Sequence, residues 1–408
     1  MRCGLLGRVL GHSYSPRIHS YLGSYPYVLF EKEPEEVESF LKSGDFTGLN
    51  VTMPYKKTVI PFLDQLSPVA EKMGCVNTIV RRADGTLFGH NSDYFGFQSL
   101  VKHSGISVAG KKALVLGSGG ASNTAVHVLE DLGAQAVVIS RSGKDNYQNL
   151  FLHQDASLMV NTTPVGMYPN TGTAPVDLRQ FPHLEGVLDV VYNPARTQLL
   201  LDAEALGIPN ENGLRMLVAQ AKESAEYFTG RRIDDSVIDA IHRRLRTQVQ
   251  NIVLIGMPGC GKSTIGAALG EALGRPLSDA DEIIASLAGK SIPDIFAQDG
   301  EPAFRSWETK ALESLGKQSG RIIATGGGCV TRQENYPLLH QNGTIFYLRR
   351  DLRLLPKEGR PLSQKNSLED MYQARSPLYE AFADFTVDNE GTPDDTVKAI
   401  LACLEVTP

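Results

Sequence analysis

The chain has 408 residues, of which 42% are hydrophobic and 21% charged, as in an ordinary globular protein. One hydrophobic core stops growing at roughly 250 to 300 residues, so this length predicts two or three domains. The formal net charge of -6 argues against nucleic acid as a partner, and no apolar run approaches the ~20 residues that cross a bilayer.

The five cysteines are scattered and odd in number, and none of them forms a CxxC pair. This pattern argues against a disulfide framework and against a zinc site, and it favours a reducing cytoplasm. The chain opens at Met1 on an apolar run with the character of a strand, so we expect no secretory signal peptide.

Short apolar runs alternate with helix-length segments along most of the chain, a rhythm typical of parallel α/β architecture. A helix is predicted at 234–246, so the linker to the strand that follows it is confined to residues 247–250. The predicted strands are LVLG at 114–117, AVVIS at 136–140, VLDVVY at 187–192, NIVLIG at 251–256, RIIATG at 321–326 and TIFYL at 344–348.

The segment HSYSPRIHS at 12–20 combines a helix-start signal with hydroxyl groups. It predicts Ser15 at an N-cap and Pro16 at the first helical position. Free amides of the helix start then stand beside the hydroxyls of Ser13 and Ser15, an arrangement that suits a carboxylate. Capping alone explains Ser15 better than it explains Ser13.

The segment NVTMPYKK at 50–57 places Lys56 in the first turn of a helix that Pro54 is predicted to begin. The helix macrodipole disfavours a cation there, so we interpret Lys56 as a proton-transfer group, with Lys57 as the competing candidate. Asp93, in the motif HNSD, is either a charge that stabilises a helix start or a partner in this chemistry.

The stretch LVLGSGGAS at 114–122 predicts a strand, a glycine turn and a helix start, the arrangement that binds a dinucleotide pyrophosphate. Ser122 stands at the third glycine position of the usual fingerprint. The next strand ends in ISRSGK, where Arg141, helped by Lys144, suits a 2′-phosphate better than a bare ribose hydroxyl. The expected cofactor is therefore NADP, unless Arg141 is an ordinary exposed side chain.

A series of motifs over residues 1–246 resembles the shikimate dehydrogenase family, in the same order: HSYSP, NVTMPYK, CVNT, NSD, GSGGAS, DVVYNP and GLRMLVAQ. The resemblance implies NADPH-dependent reduction of 3-dehydroshikimate, with Lys56 and Asp93 as the catalytic pair. It implies substrate contacts from Ser13, Ser15, Thr52, Asn77, Asp93, Tyr192 and Gln220. It implies cofactor contacts from Gly117, Gly119, Gly120, Ala121, Arg141, Lys144 and Gly213. In this family a substrate lobe, here 1–98 and 212–246, encloses a Rossmann-like NADP lobe, here 99–211.

The stretch GMPGCGKST at 256–264 fits the phosphate-loop pattern G-x-x-x-x-G-K-[ST] and lies between a predicted strand and a helix-forming run. In such a loop, backbone amides cradle the phosphates, Lys262 neutralises their charge and the Ser263 hydroxyl binds Mg²⁺. An ordinary glycine-rich turn is the alternative. The expected nucleotide contacts are Gly259, Cys260, Gly261, Lys262, Ser263 and Thr264.

Downstream motifs resemble the shikimate kinase family over residues 251–408: SDADE, FRSWE, GGG at 326–328, GRPL and RSPLYE. The resemblance implies that Asp279 acts on Mg²⁺ and that Asp281 orients or deprotonates the acceptor hydroxyl. It implies that Arg360 reaches the transferring phosphate and leaves open which of three arginines packs on adenine. Those three are Arg349, Arg350 and Arg353. The acceptor contacts that it implies are Asp281, Arg305, Gly327, Gly328 and Arg375.

The sequence therefore predicts an α/β protein in which a two-lobed dehydrogenase, 1–246, precedes a P-loop kinase domain with a parallel sheet, 251–408. Shikimate made by the first half would be phosphorylated by the second, with ATP and Mg²⁺. We expect small-molecule substrates, neither nucleic acid nor membrane as partner, and a monomer or homodimer. The alternatives are a quinate-preferring dehydrogenase fused to a small-molecule kinase, and a ligand-sensing protein with one silent half.

The chain is expected to prefer NADPH over NADH, because Arg141 can pair with the 2′-phosphate and its strand ends without an acid. Arg141→Asp should raise KM for NADPH and change kcat little, which steady-state kinetics with both cofactors would measure. Equal use of NADH and NADPH by the native chain would contradict the assignment.

Overall fold

A computed structural model describes residues 1–11, 13–355 and 368–406. The chain divides into two compact units. The first unit comprises residues 1–165, 174–192 and 202–244, and the second comprises 166–173, 193–201 and 245–408. The second unit thus includes two short segments that the sequence assigns to the NADP lobe. Among the described residues, no helix combines the length and apolarity needed to cross a membrane.

The first sheet is mixed, with six strands in the order β2-β1-β3-β5-β6-β4. Its strands are β1 Cys3–Gly7, β2 Tyr27–Glu31, β3 Gly48–Val51, β4 Gln65–Leu66, β5 Thr78–Arg81 and β6 Leu87–His90. Strand β5 runs antiparallel to both of its neighbours, β3 and β6, whereas the other pairs are parallel. The parallel pattern that the sequence indicates for the strands from residue 114 onward therefore does not extend to this sheet.

The other two sheets contain only parallel pairs, as expected. The second sheet, in the order β11-β10-β9-β7-β8, contains β7 Lys112–Leu116, β8 Gln135–Ile139, β9 Leu158–Asn161, β10 Gly186–Asp189 and β11 Asn210–Glu211. The third, in the order β13-β14-β12-β15-β16, contains β12 Asn251–Ile255, β13 Leu277–Asp279, β14 Ile322–Ala324, β15 Gly343–Arg349 and β16 Phe385–Asp388. All six predicted strands are present.

Helices cover these sheets, and each unit has its own buried apolar clusters. The helices up to the end of the first unit are α1 Ser15–Leu22, α2 Val37–Ser43, α3 Pro68–Met73, α4 Asp93–His103, α5 Gly120–Asp131, α6 Gln198–Ala205, α7 Leu214–Thr229 and α8 Ser236–Val249. The remaining helices are α9 Lys262–Leu273, α10 Ala280–Ala288, α11 Ile292–Gln298, α12 Gly300–Gly316, α13 Asn335–His340, α14 Leu368–Phe382 and α15 Pro393–Val406.

Two predicted helix starts need correction. Tyr14, rather than Ser15, is the N-cap of α1, and the Ser13 hydroxyl accepts a hydrogen bond from the Ser15 amide at 3.2 Å. No α-helix begins at Pro54: the chain forms turns up to the short 3-10 helix Ile60–Phe62. Lys56 therefore lies in a turn, and the macrodipole argument for its function is wrong.

The predicted linker is shorter than expected, because α8 continues to Val249 and β12 begins at Asn251. Arg275, in the second unit, forms hydrogen bonds with the backbone at this junction between α8 and β12. Its guanidinium donates hydrogen bonds to the carbonyls of Gln250, at 3.0 Å, and of Thr247. Carbonyls in the last turn of a helix lack intrahelical partners, so Arg275 acts as a C-terminal cap.

Arg275→Ala should destabilise the second unit by about 1 to 3 kcal/mol, because two carbonyl groups lose a charged donor. The only tryptophan of the chain, Trp307, lies on α12 of that unit, so its fluorescence during urea unfolding measures the effect. Arg332→Ala is the matched control, because it removes only an ion pair with Glu334 at 3.3 Å and should shift the midpoint little. Equal shifts in the two variants would contradict the capping role.

Candidate active sites

In the mixed sheet, strand register places three polar residues of the first unit in one row across neighbouring strands. Asn50 on β3 pairs with Thr78 on β5, and Thr78 pairs with His90 on β6. Side chains directly opposite each other on antiparallel strands share a face of the sheet. The chain leaves β3 toward Lys56 and leaves β6 toward Asp93, so this row brings the two predicted catalytic residues together.

Lys56 and Asp93 form an ion pair with 2.5 Å between Nζ and Oδ2. Asp93 is the first residue of α4, where a carboxylate is favoured, and its amide donates to Asn91 Oδ1 at 3.0 Å. The Lys56 and Asp93 side chains are only 28% and 13% exposed, so their charges are partly shielded from water. Lys57, the competing candidate, is exposed.

The predicted carboxylate site lies at the start of α1. Ser15 is buried and Ser13 is partly buried. The ring of Tyr14 lies 5.6 Å from the ring of Tyr192, so Tyr192 is close to this helix start. Burial raises the pKa of Tyr192 to about 12, so its phenol stays protonated and can donate a hydrogen bond. Thr52 follows β3 and is partly buried.

Asn77 and Gln220 are held by polar residues that the sequence did not single out. Asn77 Oδ1 accepts from the Ser92 amide at 2.7 Å, and Gln220 Nε2 donates to the Leu217 carbonyl at 2.9 Å. The buried polar cluster around them comprises Asn50, Thr78, Ser92 and Ser224. Three of these residues stand in quoted motifs, namely Asn50 in NVTMPYKK, Thr78 in CVNT and Ser92 in HNSD, but their mutual contacts depend on strand register.

The glycine turn after β7 has room for a pyrophosphate. Gly117 has φ of +114°, and a methyl group there would meet Thr162 Oγ1 at 2.8 Å, so both conformation and packing require glycine. Gly119 caps α5 and Gly120 is its first residue, and an added methyl at either would meet nothing within 4 Å. Open space before a helix N-terminus fits a phosphate group.

The remaining predicted cofactor contacts lie at three places. Ala121 is in the first turn of α5, and Arg141 and Lys144 are exposed beyond the end of β8. Gly213 is buried at the start of α7, and a methyl group there would lie 2.0 Å from the Val190 carbonyl oxygen. Close packing alone therefore requires glycine at 213, and its cofactor contact stays a prediction.

In the second unit, β12 and β14 pair in parallel, with Ile252 opposite Ile322. The phosphate loop after β12 and the glycines after β14 therefore lie at the same edge of the sheet. They line a cavity of about 530 Å³. The predicted residues that line it are Gly259, Gly261, Lys262, Ser263, Thr264, Asp279, Asp281, Arg305, Gly327, Gly328 and Arg375.

The phosphate loop depends on backbone conformations that favour glycine. Gly256, Gly259 and Gly261 have φ of +143°, +84° and +102°. Lys262 Nζ donates to the Gly256 carbonyl at 2.9 Å, so the cation is folded against the loop. The Cys260 side chain is buried, and its carbonyl accepts from Asn389 Nδ2 at 2.6 Å, which ties the loop to the end of β16.

Ser263 and Asp279 have the oxygen donors that Mg²⁺ prefers. The Ser263 hydroxyl donates to Asp279 Oδ2 at 2.8 Å. Asp279 Oδ1 accepts from the Asp281 amide at 3.0 Å and thereby caps α10. Within the described ranges, no three His, Cys, Asp or Glu side chains group as metal ligands.

Arg305 is locked in place by carboxylates on its own helix, α12. Its guanidinium lies 2.7 Å from Glu308 and 3.1 Å from Glu301. Glu308 is fully buried, and burial raises the pKa of its carboxyl against the opposing effect of Arg305. A methyl group on Gly328 would lie 2.1 Å from Arg305 Nη1, so only glycine leaves room for the guanidinium. Glu308 was missed by the sequence analysis, although it ends the quoted motif FRSWE three residues after the arginine.

Arg375, on α14, also lines the cavity and is held by hydrogen bonding. Its Nη1 donates to the Gly327 carbonyl at 3.1 Å, and the buried Tyr379 hydroxyl donates to the same oxygen. A methyl group on Gly327 would meet the Pro258 ring at 2.7 Å. The glycine run and the phosphate loop therefore pack in direct contact.

The comparisons with known proteins cover both halves. The family model "Shikimate dehydrogenase substrate binding domain" matches residues 5–79, and "Shikimate kinase" matches 258–405. Shikimate dehydrogenase (NADP(+)) of Clostridium perfringens is 35% identical over 267 residues, which cover 60% of this chain and 97% of that protein. The chain belongs to the shikimate dehydrogenase family. With the kinase domain at 258–405, it is a bifunctional enzyme of the shikimate pathway.

Solved structures agree with this family assignment. Shikimate dehydrogenase 1 from Peptoclostridium difficile has a TM-score of 0.56 and 36% identity, covering 60% of this chain and 98% of that one. Shikimate 5-dehydrogenase from Thermus thermophilus, in complex with NADP(H) and shikimate, has a TM-score of 0.55 and 31% identity, covering 60% and 99%. The Rossmann-like fold expected for the dehydrogenase half is confirmed.

Arginine candidates in the kinase domain differ in their surroundings. Arg360 lies outside the described residues. Arg349 pairs with Asp388 and Arg353 pairs with Asp351, both on the surface. Arg350 instead faces the phosphate loop: its Nη1 lies 3.7 Å from the position that a methyl group on Gly261 would take.

Gly328→Ala should lower kcat/KM for shikimate by ~10- to 100-fold, because the added methyl displaces the Arg305 guanidinium and small displacements of binding groups are costly. KM for ATP and the dehydrogenase rate of the same chain should stay near wild type and serve as internal controls. An unchanged KM for shikimate would show that Arg305 does not bind it.

Proposed function

We propose that the chain reduces 3-dehydroshikimate to shikimate with NADPH and then phosphorylates shikimate to shikimate 3-phosphate with ATP. One observation carries the acceptor assignment: the cavity at the phosphate loop holds two fixed arginines, Arg305 and Arg375, as an anionic acceptor requires. The relatives of the first half, by their names, act on shikimate with NADP.

In the dehydrogenase half, NADPH supplies the hydride that reduces the C3 carbonyl. Lys56 donates a proton to the oxygen as negative charge develops there, which completes conversion of the ketone to the alcohol. Asp93, whose Oδ2 lies 2.5 Å from Lys56 Nζ, keeps the lysine oriented and holds a neighbouring substrate hydroxyl. Ser13 and Ser15 bind the substrate carboxylate at the start of α1, with Tyr192 as a further donor.

The dinucleotide occupies the open space before α5, with its pyrophosphate at Gly119 and Gly120. Arg141 and Lys144 then bind the 2′-phosphate. Both side chains are exposed, so they can turn toward a phosphate without breaking a buried contact.

In the kinase half, the 3-hydroxyl of shikimate attacks the γ-phosphate of ATP. Asp281 orients this hydroxyl and accepts its proton, while Arg305 and Arg375 hold the carboxylate. Lys262 and Arg360 neutralise charge on the transferring phosphoryl group. Ser263 and Asp279 would hold Mg²⁺, which would neutralise negative charge on the phosphates of ATP.

Arg350 is the arginine that we assign to the nucleotide. Its guanidinium is near Gly261, and the other two candidates, Arg349 and Arg353, are engaged in surface ion pairs. Neither rival function accounts for all of these features. A quinate-preferring dehydrogenase that favours NAD has no use for Arg141, and a silent half would lack a reacting group such as Lys56 or Lys262.

Lys56→Ala should lower the dehydrogenase kcat by ~10²- to 10⁴-fold, the usual contribution of a general acid, and leave the kinase rate near wild type. Lys57→Ala is the matched control, because this neighbour is exposed and should change neither activity. The purified variants would be supplied with 3-dehydroshikimate, NADPH and Mg-ATP, and the products identified by mass spectrometry.

Three outcomes would contradict these assignments. Retention of more than about a tenth of kcat by Lys56→Ala would show that another group donates the proton. A large loss of dehydrogenase kcat in Lys57→Ala would show that Lys57 is the proton donor. If the native chain phosphorylates AMP or gluconate in preference to shikimate, the assignment of shikimate as the acceptor is wrong.

A further inference from the structure

Ser224 lies at the centre of the buried polar cluster in the dehydrogenase half, on the face of α7 that packs over β3 and β5. It is fully buried. Its hydroxyl oxygen is 2.7 Å from Asn50 Nδ2, 2.8 Å from Thr78 Oγ1 and 2.9 Å from Ser92 Oγ. It also donates to the Gln220 carbonyl, one turn earlier in α7, at 2.9 Å. The mechanism proposed above gives this residue no role.

The direction of the hydrogen bonds through Ser224 is fixed by its surroundings. The Tyr27 hydroxyl donates to Asn50 Oδ1 at 2.8 Å, so the Asn50 carboxamide must turn its Nδ2 toward Ser224. The Gln220 carbonyl can only accept. Ser224 therefore accepts a hydrogen bond from Asn50 Nδ2 and donates its only hydroxyl hydrogen to the Gln220 carbonyl. Its remaining lone pair accepts from the hydroxyl of Thr78 or Ser92, so only the other of these two hydroxyls can donate to Asn77 Oδ1.

This arrangement determines which end of Asn77 faces a ligand. Asn77 Oδ1 is reached by the Ser92 amide at 2.7 Å, Thr78 Oγ1 at 3.1 Å and Ser92 Oγ at 3.2 Å. An amide oxygen has two lone pairs, so Oδ1 is saturated within the protein. Among the described residues, Asn77 Nδ2 makes no hydrogen bond, so the NH₂ group is the end that remains for a substrate oxygen.

Gln220 is connected to the same cluster. Ser92 Oγ lies 3.4 Å from Gln220 Oε1, and Gln220 Nε2 donates to the Leu217 carbonyl at 2.9 Å. Without the Ser224 hydroxyl, Asn50 Nδ2 would keep only longer contacts, at 3.3 Å to the Asn77 carbonyl and 3.5 Å to Thr78 Oγ1. The hydroxyl that donates to Ser224, whether that of Thr78 or that of Ser92, would also lose its acceptor and would compete for Asn77 Oδ1 with the hydroxyl that donates there.

We propose that Ser224 is a positioning residue of the dehydrogenase, which acts through Thr78 and Ser92 to hold the Asn77 NH₂ group toward a hydroxyl or carbonyl oxygen of the substrate. The proposal rests on the assignment of Asn77 to the substrate. It predicts a defect confined to the substrate side of one reaction, whereas a merely structural role would affect NADPH binding and folding as well.

The test compares Ser224→Ala with wild type in steady-state assays of the full chain. We expect kcat/KM for 3-dehydroshikimate to fall by about 3- to 10-fold, the change that loss of one hydrogen bond produces, with KM for NADPH unchanged. Ser224→Thr, which keeps the hydroxyl, should be closer to wild type. Thr229→Val is the matched control, because it removes a hydroxyl that bonds back along the same helix, to Ala225 at 2.7 Å, outside the cluster. The kinase rate of each variant reports the amount of intact chain, and an unchanged KM for NADPH reports that the dehydrogenase half is folded.

A double-mutant cycle with Asn77→Ala decides whether Ser224 acts through Asn77. We expect the loss caused by Ser224→Ala to disappear in the Asn77→Ala background, since coupled residues are not additive. Additive losses, or an equal loss in Thr229→Val, would overturn the positioning role and leave the function intact. A fully active Asn77→Ala variant would overturn the assignment of Asn77 to the substrate, and this proposal with it. If Ser224→Ala fails to fold, the cycle is run with Ser224→Cys, whose thiol is only a weak hydrogen-bond donor and acceptor, and additive losses have the same meaning.

Discussion

Asn50, Thr78 and His90 stand side by side on three strands of the mixed sheet, and this register brings together the predicted catalytic pair of the dehydrogenase half. The chain leaves one end of the row toward Lys56 and the other toward Asp93, so the 2.5 Å ion pair between them depends on the alignment of β3 with β6 through β5. A slip of one residue would turn every side chain of the row to the opposite face. Asn50 and Thr78 form buried hydrogen bonds with α7, and these bonds oppose such a slip. Breaking either of them would leave a buried polar group without a partner.

The kinase site depends on close packing at the ends of parallel strands. Gly328 makes room for the Arg305 guanidinium, and Gly327 makes room for Pro258 of the phosphate loop. Glu308, which is buried beside Arg305, holds the charged guanidinium in position through an ion pair. A buried pair of this kind contributes little net stability, so we interpret it as a means of placing one cation accurately at the wall of the cavity. The dehydrogenase half instead orients Asn77 with neutral groups, which have no charge to desolvate.

Local patterns in the sequence were sufficient for the parallel sheets and for the phosphate loop, because apolar runs and glycine spacing are properties of short segments. They failed at Lys56, where Pro54 suggested a helix start and the chain forms turns instead. They also gave no indication of the antiparallel strand β5 or of Ser224, which is 174 residues from Asn50 in sequence and 2.7 Å away in space. Strand register and helix packing decide such contacts, and neither can be read from a short segment.

Each half of the chain has its own apolar core. One buried cluster is built from residues between Ile252 and Ile400, and two others lie within Leu6 to Leu87 and Phe97 to Leu188. A cavity or an unsatisfied polar group introduced in one core acts on the contacts around it, so the energetic effects of distant substitutions add. The activity of one half is therefore a reference for variants in the other. Loss of both activities together would indicate unfolding that spreads through the chain, whereas loss of one confines the defect, in folding or in chemistry, to that half.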